Sequence, residues 1–334
     1  MPQYTNNHDL PISVAAWLLD DGYDHAAKAD PNTFSVTEIL KPVRQVILGR
    51  RVDALPEEEQ MPVDVISLYN SRIGQTLHSG IENTWLSPQE KLVLILKKLG
   101  IAPYAAKKIQ VNPAPEELDT SKIFLYMEQR RTVKVNETYS LTGQYDFNFC
   151  GQLEDFKNTK TYALTMGVND DYYTKQGSCY RYLFPEQLTQ DTTQITFLFS
   201  DWMASRVGAP DYPSAPIDYK KFPLMTPLQT ETFIVDKFDE IDRFKDVPEP
   251  KLPRCTSEDL WEEPTVWKYY SNPDNKGRAT KNFTSGIEAA AHLQAKGKGE
   301  VVEVQGKIKA CAYCKAFPLC TQKDEYLIQG RLNI

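Results

Sequence analysis

Apolar and aromatic residues in the middle of the chain alternate with polar ones as they do in β-strands. Four segments with this pattern are predicted strands: residues 122–135, 139–149, 152–160 and 194–200. Only Cys150 and Gly151 separate the second strand from the third, so these two are predicted to form a hairpin. Alternation gives one face of the second strand to three aromatic residues, Tyr145, Phe147 and Phe149. Asp146 is expected on the other face.

Helical spacing upstream of these strands predicts an amphipathic helix. One of its faces is apolar and is expected to be buried; it consists of Val65, Tyr69, Ile73, Leu77 and Ile81. Gly74, His78 and Glu82 form a second stripe on the same helix. In this stripe the glycine permits close approach of the backbone. A second helix is predicted over residues 170–184, where Gln176 and Tyr180 lie one turn apart.

The order of helices and strands predicts an α/β fold with a mixed central sheet, followed by a smaller module. Residues 1–34 are expected to be irregular, residues 35–247 to form the main domain and residues 248–334 to form the C-terminal module. The module starts with a proline-rich linker and is predicted to contain a hairpin, a helix and a strand. Because these elements could barely bury a core alone, a bound metal is expected to stabilise them.

The predicted hairpin contains the clearest candidates for catalytic and metal-binding side chains in this sequence. Asp155 and Lys157 are separated by one residue, so their side chains emerge on the same side of the third strand. The adjacent strand can bring Asp146 beside them. Two carboxylates can hold a hard cation, and an ammonium group can stabilise negative charge that develops at a phosphate. This arrangement is typical of metal-assisted hydrolysis of a phosphodiester.

Cysteines near the C-terminus give a second signal. Three of them form the pattern C-x2-C-x5-C, and one further upstream is a candidate fourth ligand: Cys311, Cys314, Cys320 and Cys255. In a chain without secretory features, thiols at this spacing indicate a metal site rather than disulfides. Cys150 in the hairpin turn and Cys179 in a helix are expected to be ordinary buried thiols.

Composition and charge narrow the class of protein. The 334 residues contain no apolar run near the length of a membrane span, and the first residues lack the features of a signal peptide. A cytoplasmic protein is therefore expected. A net charge of −7 argues against nonspecific coating of duplex DNA, although a local basic groove suffices for a nuclease. Candidate groove residues are Lys107, Lys108, Arg130, Arg131, Lys175 and Arg181.

Four motifs, taken in order, resemble those of the RecB-like nucleases of the PD-(D/E)XK superfamily. They are G-x3-H-x3-E ending at Glu82, G-x2-D ending at Asp146, D-x-K-x-T starting at Asp155 and Q-x3-Y starting at Gln176. The resemblance covers residues 35–200 and implies a restriction-endonuclease-like core with helices on its mixed sheet. It also implies a deoxyribonuclease that acts on DNA ends, favouring an exonuclease, in recombination, repair or replication. DNA is then the implied partner, with a helicase or recombination protein as a candidate second partner in a bacterial or virus-infected bacterial cell.

The resemblance also assigns roles to individual residues. It implies that Mg²⁺ or Mn²⁺ is held by His78, Asp146, Asp155 and the backbone carbonyl of Phe156, and that Lys157 is the catalytic lysine. Glu82 matches an acidic residue that binds metal through water or orients its neighbours. Gln176 and Tyr180 match a helix that supports the site and touches DNA. Glu154 is a competing carboxylate, but alternation points it to the opposite face from Asp155.

The cysteine pattern is similar to that of iron–sulfur members of the same family, the AddB type and the CRISPR-adaptation exonucleases. The similarity implies a [4Fe–4S] cluster that attaches the end of the chain to the fold. In those relatives the first cysteine precedes the nuclease motifs, whereas here no cysteine lies before Cys150, so Cys255 takes that role. A zinc ion at the same four cysteines is the alternative.

Two functions other than a nuclease are compatible with the pattern. One is a catalytically inactive DNA-binding or assembly protein on the same fold, and the other is a structural zinc-module protein in which the hairpin is incidental. The complete set of histidine, two aspartates and lysine favours the nuclease over both.

Overall fold

The structure is a computed structural model that describes residues 4–20 and 30–333. It contains two compact units. The first, here called the sheet unit, comprises Met1–Leu40 and Met61–Asp239; the second, the C-terminal unit, comprises Lys41–Gln60 and Glu240–Ile334. The expected boundaries differ from these because residues 41–60 belong with the end of the chain. No helix in the described ranges is long and apolar enough to cross a membrane.

The strands, in chain order, are β1 Tyr4–Thr5, β2 Thr33–Ser35, β3 Val63–Asp64, β4 Ile109–Val111, β5 Ile123–Lys134, β6 Ser140–Phe149, β7 Gln152–Thr159, β8 Thr192–Phe199, β9 Ile217–Pro223, β10 Val266–Tyr270, β11 Lys281–Phe283 and β12 Glu300–Val304. The four strands predicted for the core correspond to β5, β6, β7 and β8, with ends that differ by at most two residues.

The helices are α1 Ile12–Leu19, α2 Val36–Ile39, α3 Val43–Asp53, α4 Tyr69–Trp85, α5 Gln89–Lys98, α6 Pro103–Ala106, α7 Thr161–Met166, α8 Asp170–Leu183, α9 Pro227–Phe244, α10 Gly286–Lys296 and α11 Gln322–Ile328. The N-terminal segment expected to be irregular contains β1 and α1, because Ala15 and Leu18 pack against Val65. Residues 1–3 and 21–29 of that prediction lie outside the described residues.

A mixed sheet of seven strands forms the centre of the sheet unit. Its order is β4-β5-β6-β7-β8-β9, and β2 pairs with β6 off this path. The β7–β8 pair is parallel, whereas β5–β6, β6–β7 and β8–β9 are antiparallel. On one face, Ile195 and Phe197 of β8 pack against Tyr173 of α8. The expected α/β fold with helices flanking a mixed sheet is therefore confirmed.

The hairpin of β6 and β7 turns at Cys150 and Gly151, as predicted. Both residues have positive φ, 51° and 81°, which is the conformation of a two-residue turn whose twist matches that of the flanking strands. Cys179 is buried as expected, but Cys150 is exposed because it occupies the tip of the turn.

Helix α8 packs unusually close to the sheet, and glycines make this possible. A Cβ atom at Gly177 would lie 2.8 Å from Thr193 and 2.9 Å from Leu224, and one at Gly143 would lie 2.7 Å from Leu183. The predicted close approach at Gly74 is wrong, since a Cβ there would meet nothing within 4 Å. The reason is that α4 is only partly covered: it has no fully buried residue, and Tyr69 is 49% exposed.

Alanine substitutions at Gly177 and Gly74 are therefore expected to have opposite effects on stability. Gly177→Ala should lower the free energy of unfolding by about 1–3 kcal/mol, because the added methyl overlaps Thr193. Gly74→Ala should raise it by about 0.5–1 kcal/mol, because alanine is the better helix former and has free space. Urea denaturation of the two variants measures both effects. Equal destabilisation would contradict the packing described for α8.

The C-terminal unit has its own small sheet of three strands in the order β11-β10-β12. Tyr269 and Phe283 on this sheet pack against Ala289 of α10, so the predicted hairpin, helix and strand are all present. Helix α3 joins this unit, although it lies far upstream in the sequence. The guanidinium group of Arg51 on α3, for example, donates hydrogen bonds to the carbonyls of Lys245 and Val247.

Candidate functional site

The site lies where β6 and β7 separate. The two strands pair over only three residues beside the turn, Phe147 with Glu154 through Phe149 with Gln152. Asp146 and Asp155 come directly after these pairs, at the point where the two strands diverge, here called the fork. The Asp146 carboxylate accepts a hydrogen bond from the backbone N–H of Phe156 at 3.0 Å, which anchors Asp146 to the neighbouring strand. The fork thus brings both carboxylates together, as the sequence predicts.

Lys157 and Asp155 form an ion pair at the fork. Lys157 Nζ lies 2.5 Å from Asp155 Oδ2, and the side chains are 28% and 6% exposed, so part of the lysine side chain is accessible to solvent while the aspartate is buried. Burial alone would lower the pKa of Lys157, but the carboxylates of Asp155 and Asp146 outweigh it and raise the pKa. The lysine therefore keeps its charge at neutral pH. It can stabilise negative charge that develops beside it.

His78 reaches the fork from α4. Its Nδ1 lies 3.6 Å from Asp146 Oδ1, and its Nε2 lies 3.0 Å from the carbonyl oxygen of Phe156. If Nε2 carries the proton it donates to the Phe156 carbonyl, which leaves Nδ1, on the side of Asp146, as the nitrogen able to bind a cation. The edge of the Phe156 ring packs against the imidazole and fixes its orientation. Histidine, aspartate and a backbone carbonyl thus meet as the sequence motifs imply.

Glu128 on β5 is a member of the site that the sequence reasoning missed. Single ligand atoms of His78, Glu128 and Asp146 all lie within 4.8 Å of one another, and among the described residues this is the one group of three or more such side chains. Asp155 does not belong to it. Glu128 is opposite Asp146 in the β5–β6 register, between the pairs Met127–Phe147 and Gln129–Tyr145.

The backbone of Glu128 has φ = 51°, which is rare for a glutamate inside a strand. It interrupts the alternation of side chains at this point of the β5–β6 pair. Tyr145 consequently packs on Phe184, whereas Phe147 packs on Trp85 of α4. The prediction that Tyr145 and Phe147 share one face is therefore wrong.

Negative charge is in excess at the fork. Burial, and then the repulsion of Asp155, raise the pKa of Asp146 to about 7, despite the opposing influence of His78 and Lys157. Burial likewise raises the pKa of Glu128. Carboxylates that are costly to ionise together are stabilised when a cation sits between them. The electrostatics of the fork therefore favour binding of a divalent cation.

The remaining residues predicted for the site lie around it. Glu82 is half-buried on α4 and is close enough for its charge to raise the pKa of Glu128. Gln176 and Tyr180 are only 4% and 6% exposed, and Gln176 Nε2 donates to Tyr180 Oη at 3.4 Å. Because both side chains are buried, they can support the site but expose little surface that could contact DNA. Glu154 accepts a hydrogen bond from Gln194 on the face away from Asp155, as alternation predicts.

Most of the basic residues proposed for a groove are already paired. Lys175 bonds to Asp171 at 2.6 Å and Arg181 to Asp191 at 2.8 Å. Arg131 forms an ion pair with Glu186, and Arg130 donates to Gln144. Lys107 and Lys108 are exposed. The sequence could not reveal these pairings, because the acidic partners of Arg131 and Arg181 lie many residues away.

The four candidate cysteine ligands line a single cavity in the C-terminal unit, together with Arg44 and Gln45 of α3. They are Cys255, Cys311, Cys314 and Cys320. Burial raises the pKa of the Cys255 thiol to about 12 and that of Cys311 to about 11, with the neighbouring cysteines adding to the effect. Among the described residues, no three cysteine sulfurs lie within 4.8 Å of one another.

Comparisons with known proteins give no family for this chain. No protein-family model matches it, and no curated protein matches it. A solved structure, described as the crystal structure of SSO0001, is 12% identical in sequence; the match covers 69% of this chain and 87% of that chain, with a TM-score of 0.39. A similarity of this size carries no functional argument, so the function has to be argued from the site itself.

Proposed function

We propose that this protein is a metal-dependent deoxyribonuclease with a PD-(D/E)XK core. One observation carries the proposal: His78, Asp146, Asp155 and Lys157 converge where β6 and β7 separate. These are the side chains that the RecB-like motifs require, and they come from a helix and two strands. A charged lysine beside buried carboxylates is the arrangement expected for hydrolysis of a phosphodiester.

Each residue has a role that follows from its surroundings. A bound Mg²⁺ or Mn²⁺ would polarise the phosphate and lower the pKa of a water molecule. Asp146 lies beside Nδ1 of His78 and the Phe156 carbonyl beside Nε2, so both are candidates to hold such a cation, and the charge of Asp155 acts on both Asp146 and Lys157. Lys157 keeps its proton, so it can stabilise the charge that develops on the scissile phosphate.

Degradation of linear DNA tests this function. Single- and double-stranded DNA labelled at one end is incubated with the protein and Mn²⁺ or Mg²⁺, and the same reactions are repeated with excess chelator. We expect degradation that stops when the cation is removed, with the label position reporting polarity. Persistent failure to cleave, combined with DNA binding in a gel-shift assay, would favour the alternative of an inactive DNA-binding or assembly protein on the same fold.

For the cysteine cavity, a [4Fe–4S] cluster is the proposed occupant. A zinc ion with Zn–S bonds of about 2.3 Å holds its sulfurs roughly 3.8 Å apart, whereas the irons of a cluster accept sulfurs that are spread more widely. The cysteine sulfurs that line this cavity are spaced more widely than a closed zinc site needs. Their raised pKa values mean that binding of either metal would release protons.

Replacing Cys314 by serine is expected to remove the cluster and to lower the stability of the C-terminal unit. Protein purified without oxygen should be brown and contain iron, and Cys314→Ser should lose both the colour and the iron. Cys179→Ser is the matched control, because that thiol is buried in α8 and does not line the cavity. Colourless wild-type protein with one zinc per chain would show that zinc is the occupant.

A further inference from the structure

The surface formed by α5 and α6 is basic in an otherwise acidic chain. Residues 91–114 contain five lysines and no aspartate or glutamate, whereas the whole chain has a net charge of −7. All five lysines are exposed, and within the described part of the chain none of them forms an ion pair. They are Lys91, Lys97, Lys98, Lys107 and Lys108. Their charges are therefore available to a negatively charged partner, in contrast to those of Lys175 and Arg181.

Large apolar side chains are exposed between these lysines. Leu94, Leu99 and Tyr104 are 61%, 74% and 74% exposed. Lys91, Leu94 and Lys98 are three and four residues apart, so they form one stripe on the solvent side of α5. A single exposed leucine is ordinary, but an exposed aromatic ring grouped with leucines and unpaired lysines indicates a binding surface.

Trp85, the last residue of α4, connects this surface to the fork. Its ring packs against the cluster of Leu92 and Ala106, which joins α5 to α6, and also against Phe147 of β6. His78 lies seven residues earlier on α4, about 10 Å along the helix axis. A ligand that lies along α5 and α6 is therefore bound close to the fork.

We propose that α5 and α6 bind single-stranded DNA beside the fork, with the lysines contacting phosphates and Tyr104 stacking on a base. Proteins that hold single strands combine positive charge with exposed aromatic rings, because every unpaired base offers a face for stacking. A duplex hides these faces, so the exposed ring and leucines favour a single strand. This inference deepens the proposed nuclease function and rests on it for the use made of the bound strand, whereas binding itself requires no cleavage.

Binding of an oligodeoxythymidylate tests the role of the lysines. The probe carries fluorescein at one end, and its anisotropy is measured with the full-length protein in excess chelator at increasing salt concentration. Each phosphate contact contributes about 0.7 to the steepness with which log K falls against log salt for a single strand. The triple variant with Lys91→Ala, Lys98→Ala and Lys107→Ala should reduce this steepness by about 2 and weaken binding by about 10- to 100-fold at low salt.

Exposed lysines elsewhere provide a matched control with the same change in net charge. The control variant combines Lys134→Ala, Lys296→Ala and Lys298→Ala, which lie outside α5 and α6. It should keep the wild-type affinity and the wild-type dependence on salt. Equal weakening in the two triple variants would show that net charge alone governs binding and would overturn the inference.

Replacing Tyr104 separates stacking from charge. Tyr104→Ala should weaken binding of the oligodeoxythymidylate by about 10-fold with no change in the salt dependence, because base–aromatic stacking is lost while the phosphate contacts remain. Tyr104→Phe keeps the ring and should bind like the wild type. Wild-type affinity of Tyr104→Ala, or equally tight binding of the duplex formed with oligodeoxyadenylate, would overturn the assignment to a single strand.

These measurements separate the inference from the nuclease proposal, because the chelator prevents metal-dependent cleavage. Weakened binding in the lysine variant and in Tyr104→Ala would support the surface even if the protein with Mn²⁺ cleaves no DNA, in which case only the nuclease proposal fails. Metal-dependent cleavage by a wild-type protein whose binding is unchanged by these substitutions would overturn the surface and leave the nuclease proposal intact.

Discussion

Replacing Lys157 by alanine is expected to reduce DNA cleavage by the proposed nuclease by about 10²- to 10³-fold, the effect typical of removing one group that stabilises a charged transition state. The physical reason is that the Lys157 ammonium group is held charged beside the buried carboxylate of Asp155. DNA binding should be retained, since one side chain at the fork contributes little to it. Cleavage is measured as the initial rate on end-labelled DNA with Mn²⁺, and binding by fluorescence anisotropy with Ca²⁺.

A second lysine serves as the control for Lys157. Lys175 lies on α8 and is paired with Asp171, and its charge is not among those that act on Asp146, so Lys175→Ala should cleave at the wild-type rate. Lys157→Met keeps the length of the side chain and the packing while removing the charge, and it should be as impaired as Lys157→Ala. Wild-type cleavage by Lys157→Met would show that the charge of Lys157 is not needed for catalysis.

Replacing Arg44 by methionine is expected to lower the free energy of unfolding of the C-terminal unit by about 3–5 kcal/mol, because one partner of a buried ion pair is removed. Arg44 is 3% exposed, and its guanidinium group forms an ion pair with Glu249. It also donates to the carbonyl of Leu252 at 3.2 Å and to Cys320 Sγ at 3.2 Å. Methionine fills much of the same volume but provides no donor for the Leu252 carbonyl, for Cys320 Sγ or for the Glu249 carboxylate, which keeps its hydrogen bonds from Thr321.

An exposed arginine in the same unit provides the comparison for Arg44. Arg254 forms two hydrogen bonds with Glu325, but the side chains are 54% and 49% exposed. Arg254→Met should therefore lower stability by no more than about 1 kcal/mol. Urea denaturation, followed by the fluorescence of Trp261 and Trp267 in this unit, measures both changes. Similar losses in the two variants would mean that burial of Arg44 contributes no special stabilisation.

The hairpin at the centre of the site could be predicted because its determinants are local. Alternation in β7 sets Asp155 and Lys157 on one face, and the two turn residues that separate β6 from β7 fix the register that brings Asp146 beside them. The spacing within α4 likewise predicts that His78 emerges from a helix. These features depend on neighbours within a few residues, so the sequence contains the information.

Glu128 could not be predicted, because its contribution depends on a backbone conformation with no sequence signature. Positive φ is expected at glycine or asparagine, and nothing in the residues around Glu128 indicates it. The position of Glu128 opposite Asp146 also depends on the β5–β6 register, which the sequence does not reveal. The same limit applies to residues 41–60, whose membership of the C-terminal unit depends on contacts about 200 residues away, such as Arg44 with Leu252.

The ion-pair partners of the basic residues are a third feature that could not be predicted from the sequence. A lysine or arginine in a sequence has no visible partner, whereas in the structure Arg181 is paired with Asp191 and Arg131 with Glu186. Such pairing removes these side chains from the set that is free to contact phosphate. A search for a DNA-binding surface is therefore better directed at the exposed Lys107 and Lys108.

The discontinuous C-terminal unit has a consequence for synthesis of the protein on the ribosome. Helix α3 ends at Asp53, but its partners Glu249 and Leu252 are made about 200 residues later, and Cys320 later still. At about 5–20 residues per second, α3 is made roughly 10–40 s before the first of these partners. Arg44 lacks its native partners for that time, so we expect nascent chains to recruit a chaperone to this early helix until the partners have been made.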